Sequence, residues 1–395
     1  MRIRSIEQVN VKNKRVILRT DYNVPIENGV ITDDRRITAT LKTIKYLIEK
    51  NSKIIIVSHM GRPSHPEAKH SLKICRDKLA ALLGMDVHFI EDLKDNAIIE
   101  QIDSLPFPSV IMIENIRFWN EERVDDIEFA SWMSNMGDVY INEGFAVAHR
   151  KDMSVHALPL MFKERAAGFL FEEEVTKLSR LLNNPAKPYL FIIGGSKVST
   201  KVNIIENILN YASTVVIGGG LAFTFLKSQG FDIGKSLFEP EMIQECQNIF
   251  KMANDKNVNI LLPVDVHIAK DKSGTENSIV RRDDILPDEM GLDIGTVSIE
   301  IYKGAIMNAK TIVWNGPMGL FENPKFAEGT NVILESINEA TKNGAYTVVG
   351  GGDTCAAIDS VGGEKDFSFI STGGGAMLEF LSGIDLPGVR ILMED

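Results

Sequence analysis

Leu190-Phe-Ile-Ile-Gly-Gly-Ser-Lys197 reads as a buried strand running straight into a turn almost bare of side chains. Its apolar run is continuous rather than alternating, so both faces of the strand are covered, as in a parallel sheet. Glycine lets backbone N–H groups approach a ligand closely, and a following helix adds its positive N-terminal end. The same pattern recurs three times downstream, in TVVIGGG (214–220), YTVVGGGD (346–353) and FISTGGGA (369–376). Four such turns in one half predict a shared anion site, with phosphate as the obvious anion.

Upstream, short apolar runs alternate with amphipathic stretches. RVILR (15–19), KIIIVSH (53–59), DVHFI (86–90), SVIMIEN (109–115) and DVYIN (138–142) read as strands. TATLKTIKYLIEK (38–50) and SLKICRDKLAALLG (71–84) read as helices. This alternation predicts an α/β fold with parallel sheets throughout. Residues 166–188, AAGFLFEEEVTKLSRLLNNPAKP, read as one long helix, stopped by Asn183-Asn184-Pro185 and Pro188. The helix is either a domain boundary or a crossover within one large sheet. The strands on its two sides outnumber an ordinary open sheet, which favours two domains.

Bulk properties narrow the function. The 395 residues are 44% hydrophobic and 25% charged, as in a globular enzyme. No run of about 18 apolar residues suggests a membrane span. The start, Met1-Arg2-Ile3-Arg4, leads into no apolar signal region. Three scattered cysteines suit a reduced cytoplasmic setting. The net charge is −11, and residues 1–168 hold equal numbers of acidic and basic side chains, so the second half carries all of it. No basic domain offers itself to nucleic acid.

In open α/β sheets ligands sit beyond the carboxyl ends of the strands. In the first half those ends carry Asp21 and Asn23, His59 and Arg62, Arg117, and His149-Arg150, with Arg36 just before a helix. Each arginine alone suits an ion pair. Together they suit a small, multiply anionic substrate, because guanidinium grips carboxylate and phosphate in bidentate fashion. Asp21 and Asn23 suit a hydroxyl. The second half offers Lys197 and Lys201 for phosphate and Asp353 for Mg2+, directly or through water. Asn315-Gly316-Pro317 and Glu322 follow another strand, TIVW (311–314), and Glu322 suits ribose hydroxyls. Taken singly, Lys201 and Glu322 also read as surface charges on helices. Gly230–Ser236 resembles a P-loop but has three residues between its glycines instead of four. Gly218–Phe223 lacks the dinucleotide fingerprint, which counts against a dehydrogenase. Two anion sites of different chemistry point to phosphoryl transfer.

The motifs together resemble phosphoglycerate kinase. They are Arg15-Val-Ile-Leu-Arg-Thr-Asp-Tyr-Asn-Val-Pro25, Ser58-His-Met-Gly-Arg-Pro63, Glu114-Asn-Ile-Arg-Phe118, Gly194-Gly-Ser-Lys-Val198, Trp314-Asn-Gly-Pro-Met-Gly-Leu-Phe-Glu322, Gly350-Gly-Gly-Asp-Thr354 and Ser371-Thr-Gly-Gly-Gly-Ala376. They run in order along nearly the whole chain. The resemblance implies two Rossmann-like domains, each a three-layer α/β/α sandwich, joined by an interdomain helix and hinge. Residues 1–170 would bind 3-phosphoglycerate, with 380–395 returning to them. Residues 171–379 would bind nucleotide. It implies a cytoplasmic monomer in glycolysis, converting 1,3-bisphosphoglycerate and MgADP to 3-phosphoglycerate and MgATP by in-line transfer on domain closure.

Carried over by motif, Asp21, Asn23, Arg36, His59, Arg62, Arg117 and Arg150 are the implied substrate ligands. Lys197, Lys201, Gly218, Gly219, Gly291, Asn315, Pro317, Glu322, Gly351, Gly352, Asp353 and Thr354 are the implied nucleotide site, with Asp353 toward Mg2+. Arg36, Lys197 and the backbone of Gly373, Gly374 and Gly375 are the implied stabilisers of the transferring phosphoryl. Three stretches depart from the family's usual pattern. Asn142-Glu-Gly-Phe-Ala146 replaces Asn-Asp-Ala-Phe-Gly, Lys151-Asp152-Met153 replaces Ala-His and small residues, and Phe369 replaces a histidine. These departures leave a non-catalytic nucleotide-binding homologue as the alternative.

Overall fold

The continuous apolar runs of the first half form strands buried on both faces. β1 (Arg15–Arg19) is followed by a small antiparallel hairpin, β2 (Ile26–Glu27) with β3 (Val30–Ile31). Then come β4 (Lys53–Val57), β5 (Val87–Ile90), β6 (Ser109–Ile113), β7 (Val139–Asn142) and β8 (Arg165–Ala167). The main strands form one sheet in the order β5-β6-β4-β1-β7-β8, every pair parallel. Side chains of alternating positions feed two separate cores. Val16, Leu18, Ile54 and Ile56 pack with Ile44, Leu47 and Leu79 on one face. Ile17, Ile55 and Ile111 pack with Ile102, Ala130 and Met133 on the other. That is why both faces read as apolar. The covering helices are α1 (Arg35–Thr38), α2 (Leu41–Glu49), α3 (Lys73–Leu83), α4 (Ile98–Ser104), α5 (Ile127–Ser134) and α6 (Ala157–Leu160), followed by α7 (Phe169–Leu182).

The computed structural model describes residues 2–93, 97–362 and 366–394. The chain divides into one unit of Met1–Thr176 with Asp385–Asp395, and a second of Lys177–Ile384. Met1 and Asp395, which the expected domain bounds include, lie outside the described residues. The last stretch is tied into the first unit by backbone bonds. Arg4 N–H donates to Leu392 O at 2.8 Å, Gly388 N–H to Ala148 O at 2.9 Å, and Ile3 pairs antiparallel with Met393.

The second unit holds β9 (Tyr189–Ile193), β10 (Thr214–Ile217), β11 (Asn259–Leu261), β12 (Asp265–Ala269), β13 (Asn277–Arg281), β14 (Met290–Ile294), β15 (Thr311–Asn315), β16 (Tyr346–Gly350) and β17 (Phe369–Ser371). Six of them form a parallel sheet in the order β11-β10-β9-β15-β16-β17. The chain starts in the middle, winds to one edge, then returns and winds to the other. The point of reversal, between β9 and β15, is where such sheets open a ligand crevice. Phe369, the third departure from the family pattern, is buried at the start of β17 opposite Val348. A separate antiparallel sheet, β13-β12-β14, was not expected from a pattern read as parallel throughout.

One expectation is corrected. The helix read from residue 166 starts only at Phe169, because Arg165–Ala167 pairs as a strand with β7 and bridges to Ser5 on its other side. Arg36 does precede the helix read at 38–50, which is α2, but it lies in a further short helix, α1, that was not expected.

The start of α7 is pinned by side chains from elsewhere in the first unit. Phe169 N–H donates to Thr43 Oγ1 at 3.0 Å. Leu170 and Phe171 N–H donate to the two carboxylate oxygens of Glu143 at 3.2 and 3.1 Å. These bonds satisfy donors that a helix leaves open at its first turn. Glu143 is buried, and burial pushes its carboxyl up to about 7 against the pull of those donors. Gly168 is required beside it, since a Cβ there would meet the Glu143 carboxylate. The Glu143 departure therefore acts as a helix cap.

Candidate functional site

The six parallel strand ends of the first unit converge on one edge, where Asp21 organises the basic cluster. Its Oδ1 accepts from Asn23 N–H at 3.0 Å, and its Oδ2 accepts from Arg36 Nη1. Arg36 is thus held by a carboxylate while its side chain stays about one-third exposed. His59 is buried, and burial together with Arg19 drives its pKa well below the ordinary value. Arg19 Nη2 lies 3.4 Å from His59 Nδ1. A neutral ring accepting there carries its proton on Nε2, which is then a donor for a ligand oxygen.

A clamp fixes the loop that carries Arg62. Gly61 N–H donates to Asn23 Oδ1 at 2.8 Å, and Gly61 O accepts from Arg117 Nη1 at 2.8 Å. Asn115 Nδ2 donates to Met60 O at 2.7 Å. Arg62, next in the chain, is exposed. Arg150 follows the turn after β7, with its Nε 3.3 Å from His149 Nε2. The geometry brings Asp21, Asn23, His59 and Arg36 together and leaves Arg62 and Arg150 as exposed and half-exposed arms. Arg117 also bonds within the protein: Nη1 donates to Gly61 O and Nη2 to Asp152 Oδ2 at 3.1 Å, which leaves N–H groups over for a ligand.

Behind the cluster is a buried layer that was not anticipated. Arg19 is fully buried, donates from Nε to Ser154 Oγ at 2.6 Å and lies 3.8 Å from Glu122 Oε1. Ser154 N–H and Oγ donate to Glu122 at 2.8 and 2.7 Å. Burial pushes Glu122 up to about 7, and Arg19 opposes that rise. Residues 122 and 154 sit on distant loops, so spacing gave no signal for them. Asn115 was within reach of sequence reading, inside the Glu-Asn-Ile-Arg motif.

At the crevice of the second unit two loops cross backbone to backbone. Gly194 N–H donates to Asn315 O at 2.9 Å, and Gly195 N–H to Pro317 O at 3.0 Å. A Cβ at Gly194 would land on the Pro317 carbonyl. Gly219 has φ +65°, and a Cβ there would stand 2.6 Å from Gly195 O. Gly218 is covered by Met318. All three glycines are needed by the crossing, and Gly194 and Gly219 also line the cavities beside it.

Two neighbouring cavities open at the crossing. One, of about 290 Å³, is lined mainly by apolar groups such as Phe223, Leu237 and Met318, together with Gly219, Gly291, Pro317 and Glu322. Gly291 is bare because a Cβ there would overlap the Phe223 ring. The other, of about 280 Å³, is polar and takes in Lys197, Lys201, Asn315, Gly351, Gly352, Thr354, Gly374 and Gly375. Asp353 borders both. Gly373 N–H donates to Ser371 Oγ at 3.1 Å. Thr354 Oγ1 accepts from Gly316 N–H at 2.7 Å, tying α13 (Gly352–Val361) to the crossing, after α8 (Val202–Ile208), α9 (Leu221–Ser228), α10 (Ile243–Asp255), α11 (Thr296–Asn308) and α12 (Glu328–Lys342).

Burial lowers Lys201 to about 8, with Asp353 opposing the fall, and its Nζ donates to Asn315 Oδ1. A phosphate there needs the ammonium. Affinity for a polyphosphate ligand in this cavity is therefore expected to weaken severalfold from pH 7 to pH 9, as Lys201 loses its proton through about 8. Titration calorimetry across that range checks it, and Lys201→Arg should flatten the profile.

No group of three or more potential metal-ligating side chains occurs among the described residues. Asp353 is exposed at the start of α13 and borders the polar cavity. One carboxylate beside a cavity that holds two lysines fits an Mg2+ ion that arrives with an anionic ligand rather than one held by the protein alone.

The model of the phosphoglycerate kinase family matches residues 6–384. The chain is 43% identical to the phosphoglycerate kinase of Finegoldia magna, with all of both chains covered. It is 42% identical to the cytosolic phosphoglycerate kinase 3 of Arabidopsis thaliana, covering 99% of this chain and 98% of that one. The solved phosphoglycerate kinase of Coxiella burnetii superposes with a TM-score of 0.89 at 38% identity, over 99% of each chain. That of Pyrococcus horikoshii gives 0.86 at 33% identity, over 99% and 98%.

Proposed function

The chain belongs to the phosphoglycerate kinase family, and from that premise we propose how its two ligand edges divide the reaction. The activity is phosphoryl transfer between 1,3-bisphosphoglycerate with ADP and 3-phosphoglycerate with ATP, in glycolysis. The first unit takes the glycerate. Arg62 and Arg150 grip the phosphate, Asp21 and Asn23 take the hydroxyl, and His59 Nε2–H and Arg36 meet the carboxylate. Arg117 acts chiefly by holding the Gly61 loop.

The second unit takes the nucleotide. Adenosine enters the apolar cavity with Glu322 on the ribose, and the phosphates enter the polar one beside Lys197 and Lys201. Mg2+ bound with the nucleotide would be held by Asp353 and would neutralise charge on the phosphates. The observation that carries this division is the seating of Lys201, Asn315 and Asp353 around one cavity at the sheet's reversal point.

The attacking group is a carboxylate, ionised at neutral pH, so no general base is required. Reacting atoms must come within about 3–3.5 Å, which requires the units to close around both ligands and shed water. Arg36, Lys197 and the backbone of Gly374 and Gly375 would then face the phosphoryl in flight.

We place the protein in the cytoplasm as a monomer acting on small molecules. Cys75, Cys246 and Cys355 form no disulfide among the described residues, which supports a reducing compartment, and among the same residues no helix is long and apolar enough to cross a membrane. A coupled assay with 3-phosphoglycerate and MgATP tests the whole reading. Turnover that requires both substrates is expected, and its absence in folded protein would refute catalysis by this chain.

A further inference from the structure

We propose that Asp152 sets how tightly the first unit holds its anion, by partly neutralising Arg117, and so acts as a specificity-determining residue for substrate charge. The inference rests on the assignment of that edge to 3-phosphoglycerate.

The geometry isolates Asp152 from the other carboxylates of the cluster. Asp21 is committed to Arg36 and to the backbone of Asn23. Glu122 lies in the buried layer with Arg19 and Ser154, shut away from the strand-end edge. Among the described residues, Asp152 is the carboxylate that pairs with Arg117, at 3.1 Å from Nη2. The Arg117 side chain is only 3% exposed, whereas that of Asp152 is 14% exposed and stays in reach of solvent. Its backbone is fixed, because Asp152 O accepts from Val155 and His156 N–H at 2.9 Å each. The carboxylate is therefore a built part of the edge rather than a wandering surface charge.

Its field reaches further than one pair. Burial and Arg150 lower the pKa of His149 and Asp152 opposes that fall, while at Glu122 Asp152 adds to the rise that burial causes. A fixed negative charge at the rim of a cationic cluster subtracts from the attraction for a ligand bearing both carboxylate and phosphate. It penalises the most highly charged ligand most. For a reversible transferase, this trades affinity for faster release of the glycerate.

Asp152→Asn tests the inference, since it keeps the shape and one oxygen acceptor for Arg117 while removing the charge. The KM for 3-phosphoglycerate is expected to fall on the order of threefold to tenfold. The kcat should not rise, and the KM for MgATP, bound by the other unit, should stay put. The drop should shrink as ionic strength rises. Asp152→Glu should restore the native KM. A KM for 3-phosphoglycerate that is unchanged or raised in Asp152→Asn would overturn the inference, leaving Asp152 as a positioning residue for Arg117. Should the native chain show no turnover, that outcome sinks the proposed function instead. Calorimetric binding of 3-phosphoglycerate to native and Asp152→Asn protein then still decides the inference, with tighter binding by the variant supporting it and equal or weaker binding ending it.

Discussion

Arg36→Ala is expected to lower kcat by about 100-fold or more while leaving the protein folded. The side chain is one-third exposed and packs no core, so its removal opens no cavity. What is lost is a guanidinium that Asp21 holds in place at the mouth of the cluster. Catalysis of this kind depends on donors fixed before the reaction and aimed where charge develops, and a preset Asp21–Arg36 pair meets that requirement. The KM for 3-phosphoglycerate should rise less than kcat falls, because several other groups share ground-state binding. Arg36→Lys should recover only part of the loss, since an ammonium keeps the charge without the planar fork. Steady-state kinetics beside a thermal unfolding scan give the readout. A loss of kcat below about tenfold in a folded variant would remove Arg36 from the catalytic set.

Gly194→Ala should have a large effect of a different kind. A methyl group at this position would run into the Pro317 carbonyl and come within 2.6 Å of Gly316 O. Neither obstacle is a flexible side-chain tip, so β9 and β15 would have to part. Overpacking of this sort costs about 1–3 kcal/mol. The same shift would displace Lys197 and Asn315, which follow the two strands, so MgADP affinity should drop with stability. Gly352→Ala is the control. Nothing lies within 4 Å of a Cβ there, and the residue opens α13. Its denaturation midpoint should hold or rise slightly, whatever happens to nucleotide binding. If both variants unfold alike in urea, the backbone crossing is not the constraint described above.

These two residues also show what was legible in the sequence. Strand positions were readable because each run is apolar on both faces, and the two cores on either side of β1 and β4 explain why. Placing ligand groups after the strands then pointed to Asp21 and His59, which the structure brings together at one strand-end edge. The sequence showed that Gly194 is bare but not that another piece of backbone requires it to be. The strand at Arg165–Ala167 was hidden because alanine is the best helix former, and only its two neighbours in the sheet make it extended. The antiparallel β12–β14 group was hidden because β13 is almost wholly exposed and β14 only partly buried, which breaks the continuous apolar pattern. The Arg19–Glu122–Ser154 layer joins residues more than 100 positions apart, and no spacing rule reaches that far.

The tie between Ile3 and Met393 has a consequence for how the protein is made. A ribosome emits the first unit's sheet early but withholds its closing strap, residues 385–394, until the whole second unit has been synthesised. The second unit is contiguous, Lys177–Ile384, so it has all its parts sooner after its own start than the first unit does. Domains fold as units during synthesis. The older half of the nascent chain thus waits on the younger, and the part begun first is finished last.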